Sequence, residues 1–170
     1  MLEIGLGSGL VRDYIKNRTA IDYRSLDFDH QLRPDIIGDV RQIPTPDDSF
    51  DLVAAFEVLE HLPFADLEQA LIELKRVAQR YVVISLPDCR AHLRFSAKLP
   101  LLPRLQKAVK LPFPRRPRFK PTGPESHWWE IGWRSHSARR IWQVLVNHFQ
   151  ILEDFVPYEN QYHHFYVLKK

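Results

Sequence analysis

The chain has 170 residues, 45% hydrophobic and 26% charged, the composition of one globular domain with its own core. No apolar run approaches the roughly 20 residues that cross a bilayer as a helix, and Cys89 stands alone, which excludes an internal disulfide. The opening residues lack a basic stretch followed by an apolar run and a cleavage site, so a reducing, cytoplasmic setting is expected.

In chain order, Leu2 to Ile4 reads as a short buried strand and leads into Gly5-Leu6-Gly7-Ser8-Gly9, with a helix expected from near Leu10. Glycines at these places permit positive φ and a close approach of ligand to backbone, and the amides at a helix start favour an anionic group such as a carboxylate. A nicotinamide-binding loop would need a third glycine where Leu10 stands, so a dinucleotide is disfavoured. Ser25 to Phe28, Ile36 to Ile37, Leu52 to Phe56 and Tyr81 to Leu86 read as further buried strands. Between the last two, Ala65 to Gln79 places Leu67, Leu71, Leu74 and Ala78 at helical spacing among charged residues. Strand, helix and strand in this order require a parallel sheet with right-handed crossovers.

Cys89 to Pro124 interrupts the pattern: it holds ten Lys or Arg, no acidic residue and seven of the thirteen prolines, leaving 14 basic against 21 acidic residues elsewhere. Residues 89–124 therefore read as a basic, proline-rich insertion that contributes no long strand or helix. Beyond it, Ser137 to His148 reads as a helix with Ile141, Leu145 and Phe149 on one face. Strands near Phe149 to Val156 and His164 to Leu168 follow and form a closing hairpin. There is no internal repeat.

Glu3 to Leu10 resembles the first motif of class I S-adenosylmethionine-dependent methyltransferases, and later segments agree with it in order. Ser25-Leu26-Asp27-Phe28-Asp29 resembles the end of that family's second strand. Gly38-Asp39-Val40 resembles the turn after the third, and Phe50 to Val53 with Glu57 to Leu62 resembles the fourth strand and the turn leaving it. The resemblance covers Met1 to about Asp88 and, weakly, the final helix and hairpin. It implies a doubly wound, mostly parallel α/β sheet of Rossmann-like type ending in an antiparallel hairpin, and S-adenosylmethionine as cofactor. The cofactor would be held by Glu3, Gly5, Gly7, Gly9, Asp27, Phe28, Asp39, Val40 and Phe56. Asp27 would accept the ribose hydroxyls; Asp22 competes but lies 19 positions after Glu3 against 24 for Asp27. Asp39 would receive the adenine amino group. Two departures stand out: the second helix shrinks to the surroundings of Gln31-Leu32-Arg33, and the sequence starts inside the first strand. We expect one domain over residues 1–170 without the family's usual amino-terminal segment.

The function the resemblance implies is methyl transfer to a small-molecule or lipid acceptor, with a catalytically silent cofactor-binding module of the same fold as the alternative. His61, after the fourth strand, is the expected proton acceptor, because imidazole titrates near neutrality; its other reading is a residue that caps the turn or packs beside Pro63. Glu57, Asp88, His127 and Trp128 are the expected substrate residues, while Glu60 competes with Glu57 for that role. Adjacent tryptophans at 128 and 129 also fit core packing, and Asp88 also fits a turn start. His163 and His164 lack a Cys or carboxylate at ligand spacing, so no metal is expected. In the insertion, Arg94, Lys98, Arg104, Lys107 and Lys110 alternate with Leu93, Phe95, Leu99, Leu102, Leu105, Val109 and Leu111. That mixture suits a peripheral contact with an anionic membrane, a lid over an acidic substrate, or a solvated loop. Nucleic acid is disfavoured, since aromatic residues do not interleave with the basic ones.

Overall fold

The computed structural model describes residues 1–100, 103–111 and 126–170. Its elements in chain order are β1 (Leu2–Ile4), α1 (Leu10–Arg18), β2 (Arg24–Asp27), β3 (Ile36–Ile37), β4 (Phe50–Phe56), α2 (Leu67–Val77) and β5 (Ala78–Pro87). There follow β6 (His92–Ala97), β7 (Leu105–Lys110), α3 (Ala138–His148), β8 (Gln150–Phe155) and β9 (His163–Lys169). Short 3-10 turns occupy His30–Leu32, Leu59–His61 and Phe64–Asp66.

Seven strands form one sheet in the order β3-β2-β1-β4-β5-β9-β8. The first five run parallel, and β9 pairs antiparallel with both β5 and β8. The expected doubly wound sheet with a closing hairpin is what forms. Parallel strands covered on both faces are buried on both sides: Leu2, Ile4, Leu26, Val53, Ala55, Val82 and Ile84 share one face, and Glu3, Ser25 and Ala54, also buried, share the other. Leu67, Ala70, Leu71, Leu74 and Val77 bury one face of α2. On α3 the buried residues are Ile141 and Leu145, and the Ser137 hydroxyl caps it by accepting from the Arg140 amide at 3.2 Å.

Two expectations shift. The helix expected to reach Gln79 ends at Val77, because Ala78 turns extended and pairs with Phe50 as the first residue of β5. Its apolar spacing continued the helical pattern only because both elements bury it. The basic stretch also contains regular structure: β6 and β7 pair as an antiparallel ribbon apart from the main sheet. Its prolines do not prevent this, since Pro100 and Pro103 fall between the two strands and none falls within them. Leu102 and the part of the insertion beyond Leu111 lie outside the described residues.

Candidate active site

The strand order turns back between β1 and β4, and open α/β sheets hold ligands outside the carboxyl ends of strands at such a point. A cleft of about 410 Å³ opens there. Gly5 and Gly7 from the loop after β1, Asp27 and Phe28 from the end of β2, and Asp39 and Val40 after β3 line it. Phe56, Glu57, Val58, His61 and Leu62 close its other side. Seven of the nine expected cofactor residues thus share one cleft with Glu57 and His61. Glu3 and Gly9 stand outside its lining: the buried Glu3 carboxyl meets the Tyr23 hydroxyl, and Gly9 begins α1. Burial raises the Glu3 carboxyl above its ordinary value, with Tyr23 and Arg12 opposing the shift.

The loop depends on glycine for two different reasons. Gly5 has φ 78°, and a Cβ there would lie 2.4 Å from Val58 Cγ2, so it lets the turn after β4 pack against the loop. Gly7, at φ 48°, has nothing within 4 Å of a notional Cβ and leaves the cleft open. The Asp27 carboxylate, 6% exposed, accepts from the Leu6 amide at 2.7 Å and the Asp29 amide at 2.9 Å, one on each oxygen. A carboxylate has about four lone-pair sites, so two remain for further donors. Asp22 instead accepts the amino terminus through its carbonyl and lines a separate hollow with Arg24 and Phe50. Asp39 is gripped by Arg41, whose Nη2 lies 2.6 Å from it and whose hydrogen bonds hold the carboxyl below the usual range despite burial. Arg41 also reaches Asp66 at 2.8 Å, tying this turn to the start of α2. Phe28 is 82% exposed at the mouth of the cleft.

Glu57 sits at φ 53°, and its amide donates to the Ser85 carbonyl and hydroxyl at 3.2 and 3.1 Å, while the hydroxyl donates to its Oε1 at 2.8 Å. Burial raises the Glu57 carboxyl above its ordinary value, against the hydrogen bond from Ser85 and the nearby His163 and His127. His61 lines the cleft from the 3-10 turn, and its ring meets that of His127 edge-on with centroids 4.9 Å apart. The segment carrying His127 is clamped to this turn: the Trp128 amide donates to the Glu60 carbonyl at 2.7 Å and Trp129 Nε1 to the Leu62 carbonyl at 3.1 Å. Trp129 is fully buried, as core packing would have it, and Trp128 is half exposed and outside the cleft lining.

Asp88 is committed elsewhere. Its enclosed carboxylate meets Arg90 at 2.7 Å, His164 at 3.3 Å and Lys110 at 3.6 Å, and it does not line the cleft. Burial opposes its charge, but His164 and Arg90 outweigh that and hold the carboxyl far below the carboxylate range. Sequence reasoning missed Ser85, Glu130 and Tyr162, which gather around Glu57 and His127 from three separate segments. No local pattern announces them, because each is an ordinary polar residue until the chain folds.

Residues 2–84 match a family described as a methyltransferase domain. Over this span, just under half of the chain, the sequence is similar to that family. No curated protein sequence matches it. Among solved structures, a SAM-dependent methyltransferase from Aquifex aeolicus is 15% identical with TM-score 0.61, over 99% of this chain and 80% of that one. Magnesium protoporphyrin IX methyltransferase from Synechocystis PCC 6803 with bound SAH is 14% identical with TM-score 0.63, over 99% and 73%. The [4+2]-cyclase SpnF is 14% identical with TM-score 0.61, also over 99% and 73%. At such identities the likeness shows that the methyltransferase domain and these proteins share a fold. One of the three is named for a different reaction, so what the methyltransferase domain does must be argued from its site. S-adenosylmethionine is the cofactor of the family, and the cleft has the parts it needs: open backbone at Gly7, two acidic side chains and an exposed aromatic ring.

Proposed function

We propose that this chain transfers the methyl group of S-adenosylmethionine to an oxygen nucleophile on an acceptor bound over Glu57 and His61. The observation that carries the reading is a single cleft with Asp27, Asp39, Phe28 and Gly7 along one side and Glu57 and His61 on the other. When bound, the cofactor supplies an electrophilic methyl group on a sulfonium. Asp27 accepts the two ribose hydroxyls on its remaining lone pairs, Asp39 accepts the adenine amino group, and Phe28 lies against the base. Leu32, Val40, Phe56 and Leu62 make the lining apolar and exclude water. His61 takes the proton that an acceptor hydroxyl gives up as its oxygen is methylated.

A lipid acceptor is favoured by the ribbon. Residues directly opposite share a face, so Leu93 with Val109, Phe95 with Lys107 and Ala97 with Leu105 make one face apolar except for Lys107. Leu93, Phe95 and Leu105 are each about 60% exposed there, with the exposed Lys107 among them and the exposed Lys98 and Arg104 at the end where the strands connect, while Arg94 stands on the opposite face. An apolar face carrying and flanked by cations fits an anionic membrane surface. The ribbon also leaves the sheet from the carboxyl end of β5, the same edge as the cleft. No helix among the described residues is long and apolar enough to cross a membrane.

Calorimetry with S-adenosylmethionine and S-adenosylhomocysteine, followed by transfer of labelled methyl to lipid and phenolic acceptors, tests the proposal. We expect both ligands to bind and label to appear in an acceptor. Binding without transfer to either class supports the silent module instead, and absence of binding overturns the cofactor site.

A further inference from the structure

Glu60 lies in the 3-10 turn with its carboxyl fully enclosed, and neither oxygen has a hydrogen-bond partner among the described residues. A carboxylate removed from water without donors is strongly disfavoured and calls for a proton or a cation. Facing it is His127, whose Nε2 is 3.9 Å from Glu60 Oε1. The other ring nitrogen, Nδ1, is 2.9 Å from Glu130 Oε1. Glu130 is itself fixed as an acceptor, receiving the Tyr162 hydroxyl at 2.9 Å and Trp133 Nε1 at 3.3 Å. His127 Nδ1 therefore carries the proton toward Glu130, and in the neutral ring Nε2 turns its lone pair on a carboxylate oxygen. His61 completes the group: one ligand atom from each of Glu60, His61 and His127 lies within 4.8 Å of the others.

We propose that Glu60, His61 and His127 bind a divalent transition-metal ion of the Zn²⁺ type, with Glu130 orienting His127. Two imidazoles and one carboxylate are a donor set that such ions accept, and donors about 2.0 to 2.2 Å from a metal stand apart by roughly the distance seen between His127 and Glu60. A carboxylate on the remote nitrogen of a ligating histidine fixes its tautomer and raises its basicity. Three protein ligands leave a coordination position for water; coordination takes the lone pair of His61, so in the metal-loaded chain a metal-bound hydroxide, and not His61, would accept the acceptor's proton. This site revises the expectation of no metal, and it stands whether or not the chain transfers methyl groups.

The test is titration of the chelator-stripped full chain with Co²⁺, without S-adenosylmethionine, followed by visible d–d absorption and calorimetry. One equivalent should bind with bands of a four- or five-coordinate ion. His127→Ala and His61→Ala should each weaken binding at least tenfold, Glu130→Gln by about tenfold or more, and His163→Ala should leave it unchanged. His61 is exposed, so its variant remains informative even where circular dichroism shows another variant misfolded. Absence of Co²⁺ binding by the unmodified chain overturns the proposal in favour of a protonated Glu60. Equal binding by all folded variants, or loss in His163→Ala to the same degree as in His127→Ala, also overturns it.

Discussion

At the residue scale the cofactor side of the cleft turns on Asp27, which has two duties. It accepts the Leu6 and Asp29 amides, and in the proposed function it accepts two ribose hydroxyls as well. Replacing it with Ala removes both sets, whereas Asn keeps one acceptor oxygen and loses the charge. Hydrogen bonds to charged groups are worth about 1.5 to 3 kcal/mol. We therefore expect Asp27→Asn to weaken S-adenosylmethionine binding by roughly tenfold or more with a smaller loss of thermal stability than Asp27→Ala. Calorimetry alongside melting curves checks this, and unchanged affinity in Asp27→Asn removes Asp27 from the cofactor site. Gly7→Val is expected to be harsher on binding, because a branched side chain at φ 48° is strained and fills the open space the glycine leaves. Retention of normal affinity by that variant contradicts the loop's role. That Asp27 and not Asp22 lines the cleft is legible from spacing, since a helix and a turn must fit between β1 and the acid. The pairing of Glu60 with His127 was not, because the two are 67 positions apart and only packing joins them.

At the element scale, the ribbon shows what composition conceals. Charge and proline content mark residues 89–124 as an insertion, and among its described residues the strand alternation of β6 and β7 sorts the side chains onto two faces. Lys110 belongs to neither the exposed cations nor solvent: its side chain is 10% exposed and its ammonium lies 3.1 Å from the Asp88 carbonyl, with the Gln161 carbonyl closer still. It anchors the ribbon to the sheet, so a test of membrane contact must leave it in place. The variant replacing Arg94, Lys98, Arg104 and Lys107 with Gln should lose most of its sedimentation with anionic vesicles. Each cation near such a surface contributes about 1 kcal/mol. Salt should weaken the unmodified chain's binding in the same assay. Equal sedimentation of the two proteins removes the support for a lipid surface and leaves a soluble acceptor.

At the scale of the whole molecule, the cluster around Asp88 joins β5, the start of the ribbon and β9. Asp88 meets Arg90, Lys110 and His164, and His164 also meets Asp154 and stacks on Tyr166 at 4.4 Å. Burial opposes a charge on His164, but Asp154 and Asp88 outweigh it and raise the imidazole above its ordinary value. Its contribution to stability is thus full below an unfolded value of about 6.5 and is lost as pH rises through the higher folded value. His164→Gln should cost more at pH 5.5 than at pH 9, by on the order of 1 kcal/mol, in paired urea unfolding curves. An equal cost at both pH values excludes a charged His164 in the fold. Asp88 works in the opposite sense: its carboxyl is lowered, so its contribution is present above about pH 3.8 and is lost as pH falls through the folded value. Asp88→Ala should destabilise the chain by about 3 to 5 kcal/mol at neutral pH, since it strands buried cations. A loss below about 1 kcal/mol there would show that the cluster is solvated.

What the sequence determined by itself is the part written in short-range order. Apolar runs without alternation make buried parallel strands, a glycine loop after the first of them opens a ligand site, and acidic residues at the next strand ends face it. Those signals are local because backbone geometry repeats over a few residues. Only the tertiary structure decided that Asp88 joins an ionic cluster outside the cleft lining, that Trp129 fills the core, and that His127, Glu130 and Tyr162 assemble beside Glu57, Glu60 and His61. These outcomes depend on which distant segments share a volume. That is settled by packing the whole sheet and its helices, and no spacing along the chain carries it.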